Sequence, residues 1–313
     1  MNPDWSPASI RLSYRLGEIS IFTWARSGFS YNHAFYDSSG STRPHFSPPN
    51  QLPAGDGPFL MRSVPVSNAL PRISVDNDWI RYAPHQYKRF YVDLTGDFEG
   101  YLKRFSSKSR STLMRKVRRY AHESTGGLVW KEYRSPADLE EFYRLAREVS
   151  ARTYQERLLG SGLPACAEFK AQMLRAGARS EVRAYLLFNG DQPAAYVYCP
   201  HHSGVLLYQY VGYDPSCRHL SPGTVLQYAI LKKLFDDGGY RIFDFTEGEG
   251  QQKAFFATDH VRCADIYFYR RTAWNSLCVR LHAAVDALTA WSGRILDRIG
   301  LKTAVRRLVR RAA

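Results

Sequence analysis

The chain has 313 residues, of which 44% are hydrophobic and 14% aromatic, and its formal charge is +14. This composition excludes a wholly disordered chain and gives room for one large or two modest domains. The excess of Lys and Arg favours an anionic partner, such as nucleic acid, an acidic membrane surface or a phosphorylated small molecule. The five cysteines form no CxxC pair and no HExxH occurs, so neither a disulfide framework nor a metal site is expected. Because no signal peptide or membrane span is recognisable, the expected location is the cytoplasm.

The first part of the chain has few signs of regular structure. Residues 1 to about 60 are rich in Ser, Pro, Gly and Asn, so we predict that 1–85 form an irregular segment or a rudimentary first half. A short strand is predicted for RFYVDL (89–94). It is followed by a helix in two parts, with Ser106 or Ser107 as the cap of the second part. Next come a strand, LVWKEYR, and a helix in which Ser135 caps and Pro136 occupies the first turn.

From residue 181 the pattern becomes rich in strands. We predict a meander of three strands, VRAYLLF, PAAYVYC and VLLYQYVGY. It is followed by the loop DPSCRHLSPG and the helix TVLQYAILKKLFDDGG. The strand YRIFDF, the loop TEGEGQQK and a final strand, CADIYFY, complete the pattern. A strand–helix–strand unit joined to an antiparallel meander predicts an α+β fold and not a doubly wound sheet. Residues 271–313 are predicted to form a basic, amphipathic helical C-terminus.

Three segments in this order resemble the GNAT acyltransferases: YVGYDP (210–215), LSPGTVLQ (220–227) and FDFTEGEGQQKAFFA (243–257). The resemblance is closest to the branch of CelD-type cellulose-biosynthesis proteins and FemAB-like aminoacyl transferases, and it covers roughly residues 86–270. It implies a mixed, mainly antiparallel sheet flanked by helices, with an acyl-CoA donor and no metal. It also implies an amine or hydroxyl acceptor connected with polysaccharide or cell-envelope synthesis. One departure is visible, because the usual signature is Arg or Gln, two residues, Gly, one residue, then Gly or Ala, whereas RHLSPGT has one glycine.

The SPG loop is the predicted binding site for the donor. Ser221, Gly223 and Thr224 stand at the start of a predicted helix, where unpaired backbone amides and the positive end of the helix dipole suit a pyrophosphate. Gly223 allows the backbone to approach a ligand closely. The alternative interpretation is an ordinary capped helix after a proline turn.

The predicted catalytic residues follow the strand YRIFDF. Asp244 needs partners if it is buried, and Lys253 or backbone amides can supply them. Glu247 and Glu249 lie in a glycine-rich loop, where either can act as a general base if partial burial raises its pKa. Lys253 can stabilise an oxyanion or hold a phosphate. The alternative is a structural ion pair between Asp244 and Lys253, with both glutamates solvated.

Tyr210 is a further candidate, as the general acid for the departing thiolate. Tyr208 and Tyr210 are predicted to alternate on one face of a single strand, and such tyrosines are often simply core residues.

Two basic segments leave other functions open. The helix over residues 103–119 either contacts tRNA or is a solvated face that attracts anionic substrates. The C-terminal helix either packs on the domain or lies on the inner face of the membrane, with Trp274 and Trp291 at the interface. We therefore expect a cytoplasmic acyltransferase that moves an acyl group, most simply acetyl. The alternatives are a tRNA-dependent aminoacyl transferase of the FemAB type and a non-catalytic module that docks on a membrane or protein.

Overall fold

A computed structural model describes residues 5–16, 19–32, 55–153 and 162–298. The chain divides into two compact units: a first unit made of Met1–Lys88 with Val261–Ala313, and a second unit, Arg89–His260. In the described ranges, no helix is long and apolar enough to cross a membrane. In chain order the elements are β1 (Ser6–Leu16), β2 (Ile19–Asn32), β3 (Phe59–Pro65), β4 (Ile73–Asp76), β5 (Trp79–Asp93), α1 (Phe98–Lys103), α2 (Ser107–Glu123), β6 (Val129–Tyr133), α3 (Pro136–Arg152), α4 (Ala167–Ala178), β7 (Val182–Asn189), β8 (Gln192–His202), β9 (Val205–Leu207), β10 (Tyr210–Tyr213), a 3₁₀ turn (Pro215–Leu220), α5 (Pro222–Asp237), β11 (Ile242–Asp244), α6 (Gln251–Phe256), β12 (Asp259–Arg270) and α7 (Ala273–Arg298).

The first unit is a sheet with one long helix. Its strands follow the order β1-β2-β3-β12-β5, with β4 paired to β5. β2 runs parallel to β3, whereas β1 with β2 and β3 with β12 are antiparallel. The helix α7 packs on a core that includes Ile10, Leu12, Tyr82 and Val279.

The prediction that residues 1–85 are irregular is wrong for the described part, since β1 to β4 and the first part of β5 lie there. β1 has the alternation of a half-buried strand, with Ile10, Leu12 and Tyr14 buried. This alternation in β1 is hard to recognise in the sequence because Ser and Pro dominate the surrounding composition. The partner of β2 on one side is β3, which is remote in sequence, and no local pattern reports such a pairing. The Ser- and Pro-rich residues 33–54 lie outside the described residues.

The second unit contains a mixed sheet with helices on both faces. Its order is β5-β11-β9-β8-β7-β6, and β10 pairs with β8. β11 is parallel to β9 and antiparallel to the end of β5, and the remaining pairs are antiparallel. Side chains from one face form the α5-side core with α1, α2 and α5; it includes Tyr185, Leu187, Val197, Leu226 and Phe243. The opposite face forms the α3-side core with α3 and α4; it includes Phe142, Val149, Leu186, Tyr196 and Tyr198. The predicted α+β fold with a mixed, mainly antiparallel sheet is confirmed.

Several local predictions in the second unit are confirmed by hydrogen bonds. The two-part helix exists as α1 and α2, and the Ser106 hydroxyl accepts from the amide of Ser109 at 3.2 Å. The Ser135 hydroxyl accepts from the amide of Asp138 at 3.2 Å at the start of α3. Such caps replace a missing intrahelical bond, which is why short sequence signals locate them well. The helix α4 has no counterpart in the sequence prediction.

Two predictions near the site are wrong. The stretch VLLYQYVGY is not one strand, because β9 ends at Leu207 and β10 begins at Tyr210. The alternation of side chains is interrupted there: Tyr208 lies in the α5-side core and Tyr210 packs on the α3-side core, so they do not share a face. Lys253 also lies in a short helix, α6, and not in a loop.

Candidate active site

The candidate site begins where two parallel strands separate. β9 and β11 pair in parallel up to Leu207 and Asp244, and the amide of Tyr208 donates to the carbonyl of Asp244 at 2.8 Å. Beyond this point β10 pairs with β8, while the chain after β11 turns away at Thr246, whose φ is +60°. The edge of β10 that faces away from β8 therefore has backbone groups that an extended ligand can use.

Asp244 anchors this turn. Its carboxylate is fully buried and accepts from Nε of Arg89 at 3.1 and 3.0 Å and from a terminal guanidinium nitrogen at 2.5 Å. It also accepts from the amide of Thr246 at 2.8 Å. Since both carboxylate oxygens are engaged, Asp244 holds the strand end and the turn in place. The expected partner, Lys253, is replaced in this role by Arg89 of β5.

Lys253 lies close to this buried pair. Its amine donates to the carbonyl of Glu247 at 2.5 Å, across the turn that joins β11 to α6. Burial lowers the pKa of Lys253, the negative charge of Asp244 acts against this, and the positive charge of Arg89 adds to it. The far end of α6 is fixed by Tyr101 and Arg104 of the α1 region, which both donate to the carbonyl of Phe256. Lys253 is thus a partly buried cation on a short helix, α6, whose end is fixed by hydrogen bonds.

The two loop glutamates have a different setting. Glu247 and Glu249 are both exposed, in a loop loosened by Gly248 with a φ of +87°. The partial burial that the prediction of a general base invoked is absent. Their position beside Lys253 keeps them within the candidate site, and their role remains a prediction.

The predicted donor loop lies at the start of α5, as expected. Ser221 precedes the helix in a left-handed conformation, with φ 56° and ψ 47°. This is the place of the first glycine in the GNAT signature, so the backbone keeps the glycine-like conformation although the residue is serine. The amides of Thr224 and Val225 donate back to the carbonyl of Ser221 at 3.0 and 3.2 Å. Because Pro222 has no amide hydrogen, the amide of Gly223 is the donor of this turn that can serve a ligand.

An open groove of about 200 Å³ joins these elements. It is lined by residues of β10, the 3₁₀ turn, the start of α5 and α6, namely Tyr213, Arg218, Ser221, Pro222, Gly223, Thr224 and Gln252. Gln252 is the neighbour of Lys253 in the chain, so the groove reaches the element that carries the lysine. A Cβ atom at Gly223 would meet Cδ1 of Tyr213 at 3.7 Å, an ordinary contact, whereas a large side chain would fill the groove.

The surroundings of Tyr210 are less suitable for the predicted general acid. Its ring packs against Phe169 and Tyr198, with centroids 5.3 and 6.1 Å apart. Burial raises the pKa of its hydroxyl, with a further contribution from Cys166, and this makes the group a weaker acid. Its role as a general acid remains a prediction that this environment does not favour.

Sequence reasoning missed Arg89, Tyr213 and Gln252 and did not single out Arg218. Arg218 carries the clearest signal, because it occupies the Arg or Gln position of the signature. Arg89 begins the strand predicted for residues 89–94, next to apolar neighbours, which indicates a buried partner but does not say which. Among the described residues, no cluster of three His, Cys, Asp or Glu side chains is positioned to hold a metal ion.

Comparisons with known proteins address the identity of this region. Residues 107–254 match the model of the acetyltransferase (GNAT) domain family. No curated protein sequence matches the chain. A conserved protein of unknown function from Bacteroides thetaiotaomicron is 12% identical over 86% of this chain and 87% of its own, with a TM-score of 0.49. L-PGS from Bacillus licheniformis is 14% identical over 73% of this chain and 73% of its own, with a TM-score of 0.46. FemX is 9% identical over 84% of this chain and 88% of its own, with a TM-score of 0.44.

The matched segment runs from the start of α2 into α6, and it includes Asp244, Lys253 and the start of α5. Residues 107–254 are therefore similar to the acetyltransferase (GNAT) domain family, and the second unit has a GNAT-like fold.

Proposed function

We propose that the protein transfers an acyl group, acetyl in the simplest case, from an acyl-CoA to an amine or hydroxyl acceptor. The observation that carries this proposal is the groove that connects the start of α5 with the end of β10 and with α6. A donor that carries phosphates and a long amide-containing arm needs an anion site next to an open strand edge. Both features meet in this groove.

The residues of the groove fit such a donor. The amide of Gly223 and the positive end of the α5 dipole suit a pyrophosphate, and the guanidinium of Arg218 can pair with its oxygens. Ser221 holds the turn, and the Thr224 side chain faces the same groove. The open edge of β10 offers amides and carbonyls to the amide groups of the arm.

The proposed chemistry uses the end of β11 and α6. The acceptor lone pair attacks the thioester carbonyl, the C–S bond breaks, and the thiolate leaves. Lys253, as a cation, stabilises the oxyanion that develops on the carbonyl oxygen. Glu247 or Glu249 takes the proton that the acceptor loses. Asp244 and Arg89 position the turn that carries these groups, and Tyr210 stays a further candidate for protonating the thiolate.

The resemblance to CelD-type proteins points to an acceptor in polysaccharide or cell-envelope synthesis, and we propose that class together with a cytoplasmic location. Acceptor panels should therefore include amino sugars and their hydroxyl counterparts.

The first experiment measures thermal unfolding with CoA, acetyl-CoA and longer acyl-CoAs. A ligand at 100 times its Kd adds about 2.7 kcal/mol of stability, which shifts Tm by several degrees. We expect one acyl-CoA to raise Tm, and Gly223→Trp to abolish the shift because the indole fills the groove. Gly96→Trp is the matched control, since this glycine has open space around it, has no positive φ and lies outside the groove. Flat traces with every acyl-CoA, in a protein that is folded, would contradict the proposal.

A second candidate is tRNA-dependent aminoacyl transfer. The observation that favours it is the outer face of α2, where Lys108, Arg115 and Arg118 are exposed and have no acidic partner among the described residues. Such a face can contact phosphates along a nucleic acid. Reversing the charge of this face, compared with an equal change of net charge elsewhere, tests this candidate.

A further inference from the structure

The helix α7 carries a stripe of exposed apolar side chains. Five large ones are more than half exposed: Trp274 (63%), Leu277 (58%), Leu281 (53%), Leu288 (52%) and Trp291 (55%). With the exposed Ala284 they recur at intervals of three and four residues, which places them along one side of the helix. We call these six residues the apolar stripe. A contiguous exposed patch of this kind marks an interaction surface, whereas single exposed apolar residues do not.

The opposite side of α7 is fixed to the first unit. Val279 is fully buried in its core, and Cys278 and His282 are buried as well. The hydroxyl of Tyr14 donates to the carbonyl of Cys278 at 2.9 Å, and the hydroxyl of Tyr82 lies 2.6 Å from Nδ1 of His282. The helix is thus held in one rotation about its axis. The apolar stripe faces outward as a consequence of the fold.

The charges beside the apolar stripe are positive. Arg271 and Arg280 are exposed and have no acidic partner among the described residues. Of the two aspartates in the sequence of α7, Asp286 pairs with Arg72 on the anchored side, and Asp297 comes after the apolar stripe in the sequence. In the sequence, the residues beyond the helix continue this bias, since 299–313 contain no acid and five bases, Lys302, Arg306, Arg307, Arg310 and Arg311. A partner for this surface therefore has to be apolar and anionic at once.

An anionic lipid surface has both properties. The apolar stripe from Trp274 to Trp291 is about 26 Å long at 1.5 Å per residue, enough to lie along a bilayer surface. Tryptophan is favoured at the boundary between head groups and acyl chains, and here one stands near each end of the stripe. Leu277, Leu281 and Leu288 would enter the apolar layer while the basic residues meet the head groups.

A second copy of the chain fits less well. A spacing of three and four residues also suits a coiled coil, in which the flanking positions carry opposite charges. The residues that flank the apolar stripe on one side are Arg280 and, in the sequence, Arg294, and those on the other side are uncharged. Pairing of two such helices would bring no opposite charges together and would place tryptophans against each other.

We propose that the apolar stripe of α7 docks the protein on an anionic membrane surface, parallel to the bilayer and without crossing it. This inference concerns the first unit and does not depend on the proposed acyl transfer. Deleting α7 is not a clean test, because it would expose the core around Ile10, Leu12 and Val279. Substitutions on the exposed side leave that core intact.

The test measures co-sedimentation of the full chain with vesicles of phosphatidylcholine containing about a third phosphatidylglycerol. We expect binding that weakens with salt, a blue shift of tryptophan fluorescence, and much weaker binding to pure phosphatidylcholine. Leu281→Ser with Leu288→Ser should reduce the partition coefficient at least tenfold, on the order expected for two lost apolar anchors. Val75→Ser with Val129→Ser is the matched control, because these residues are 51% and 47% exposed and lie outside α7.

Three outcomes would overturn the inference. One is no sedimentation with either vesicle by a folded protein. Another is binding that both double variants leave unchanged, which would assign it to net charge alone. The third is a dimer in analytical ultracentrifugation that Leu281→Ser with Leu288→Ser dissociates, together with no vesicle binding, which would make a second copy the partner.

Discussion

At the scale of single residues, the site is organised by one buried ion pair and one partly buried lysine. Asp244 and Arg89 neutralise each other inside the second unit, and the carboxylate also fixes the turn at Thr246. Lys253 stands next to them with a lowered pKa. The arrangement separates two tasks that the sequence had assigned to one group of residues. Asp244 positions the turn, and the proposed catalytic role falls to Lys253.

Lys253 predicts the form of the pH profile. If the cation stabilises the oxyanion, the rate falls as pH rises through the pKa of Lys253, which lies below the usual 10.5 because of burial. Lys253→Arg stays charged in this range and should remove the alkaline fall. Lys253→Met should lower kcat by about 10²- to 10³-fold. Profiles of kcat against pH for the three proteins check this, and a fall that persists in Lys253→Arg would assign it to another group.

The same shift predicts an effect on stability. A lysine with a lowered pKa in the folded state binds its proton less tightly there, so its charge destabilises the fold at neutral pH and this penalty is lifted as pH rises toward 10.5. Lys253→Met should therefore have a Tm at pH 7 that equals or exceeds that of the unmodified protein. Thermal unfolding at several pH values measures this. A clear loss of Tm in Lys253→Met would show that the lysine is structural.

The buried pair predicts non-additive costs. Asp244→Asn keeps an acceptor for the amide of Thr246 but leaves Arg89 as an uncompensated buried cation, which should cost about 3–5 kcal/mol. Arg89→Met should cost a similar amount. The double variant Arg89→Met with Asp244→Asn should be more stable than the sum of the two single costs predicts. Urea unfolding measures all three, and additive costs would contradict a direct coupling.

At the scale of elements, the loop before α5 has an unusual backbone conformation for its sequence. Ser221 has the left-handed backbone of the glycine that the GNAT signature places there. The α5 helix then starts at Pro222, which suits a first helical position because its missing amide hydrogen is not needed. The loop thus places an L-residue in a conformation that favours glycine.

This conformation predicts opposite effects for two substitutions. Ser221→Gly should be neutral or stabilising by up to about 1 kcal/mol. It removes the steric cost of a left-handed backbone, and the greater conformational entropy of glycine in the unfolded chain offsets part of this gain. Ser221→Val should destabilise by roughly 1–3 kcal/mol, since a β-branched residue is a severe outlier there. Urea unfolding and calorimetric titration with CoA check both, and we expect donor affinity to be kept in Ser221→Gly and weakened in Ser221→Val. A stabilising Ser221→Val would mean that the left-handed turn is not formed.

At the scale of the whole molecule, the charge of +14 is distributed unevenly. On the α3-side of the second unit, Lys131, Arg144 and Lys170 pair with acidic residues. On α2, Lys108, Arg115 and Arg118 have no such partners among the described residues. An unpaired basic face concentrates the field that attracts a polyanion, whereas paired charges do not.

This difference predicts how tRNA binding would respond to charge reversal. If the α2 face contacts tRNA, changing Lys108, Arg115 and Arg118 to Glu should weaken binding strongly and reduce the slope of log affinity against log salt by roughly 3. Changing Lys131, Arg144 and Lys170 to Glu alters net charge equally and is the matched control. Donor binding at the α5 groove should be similar in both. Equal losses with both triples would show attraction by net charge only, and the aminoacyl-transfer candidate would then lose its support.

The sequence by itself determined the elements that depend on neighbouring residues. The caps at Ser106 and Ser135, the order of strand, loop, helix and strand, and the start of α5 follow from hydrogen bonds and preferences within a few positions. Only the tertiary structure decided which residues meet across the sheet. It made Arg89 the partner of Asp244, placed Tyr208 and Tyr210 in different cores, formed strands from residues 6–16 and 19–32, and turned the apolar stripe of α7 outward. These outcomes depend on strand pairings between distant segments, where burial and register outweigh local preference.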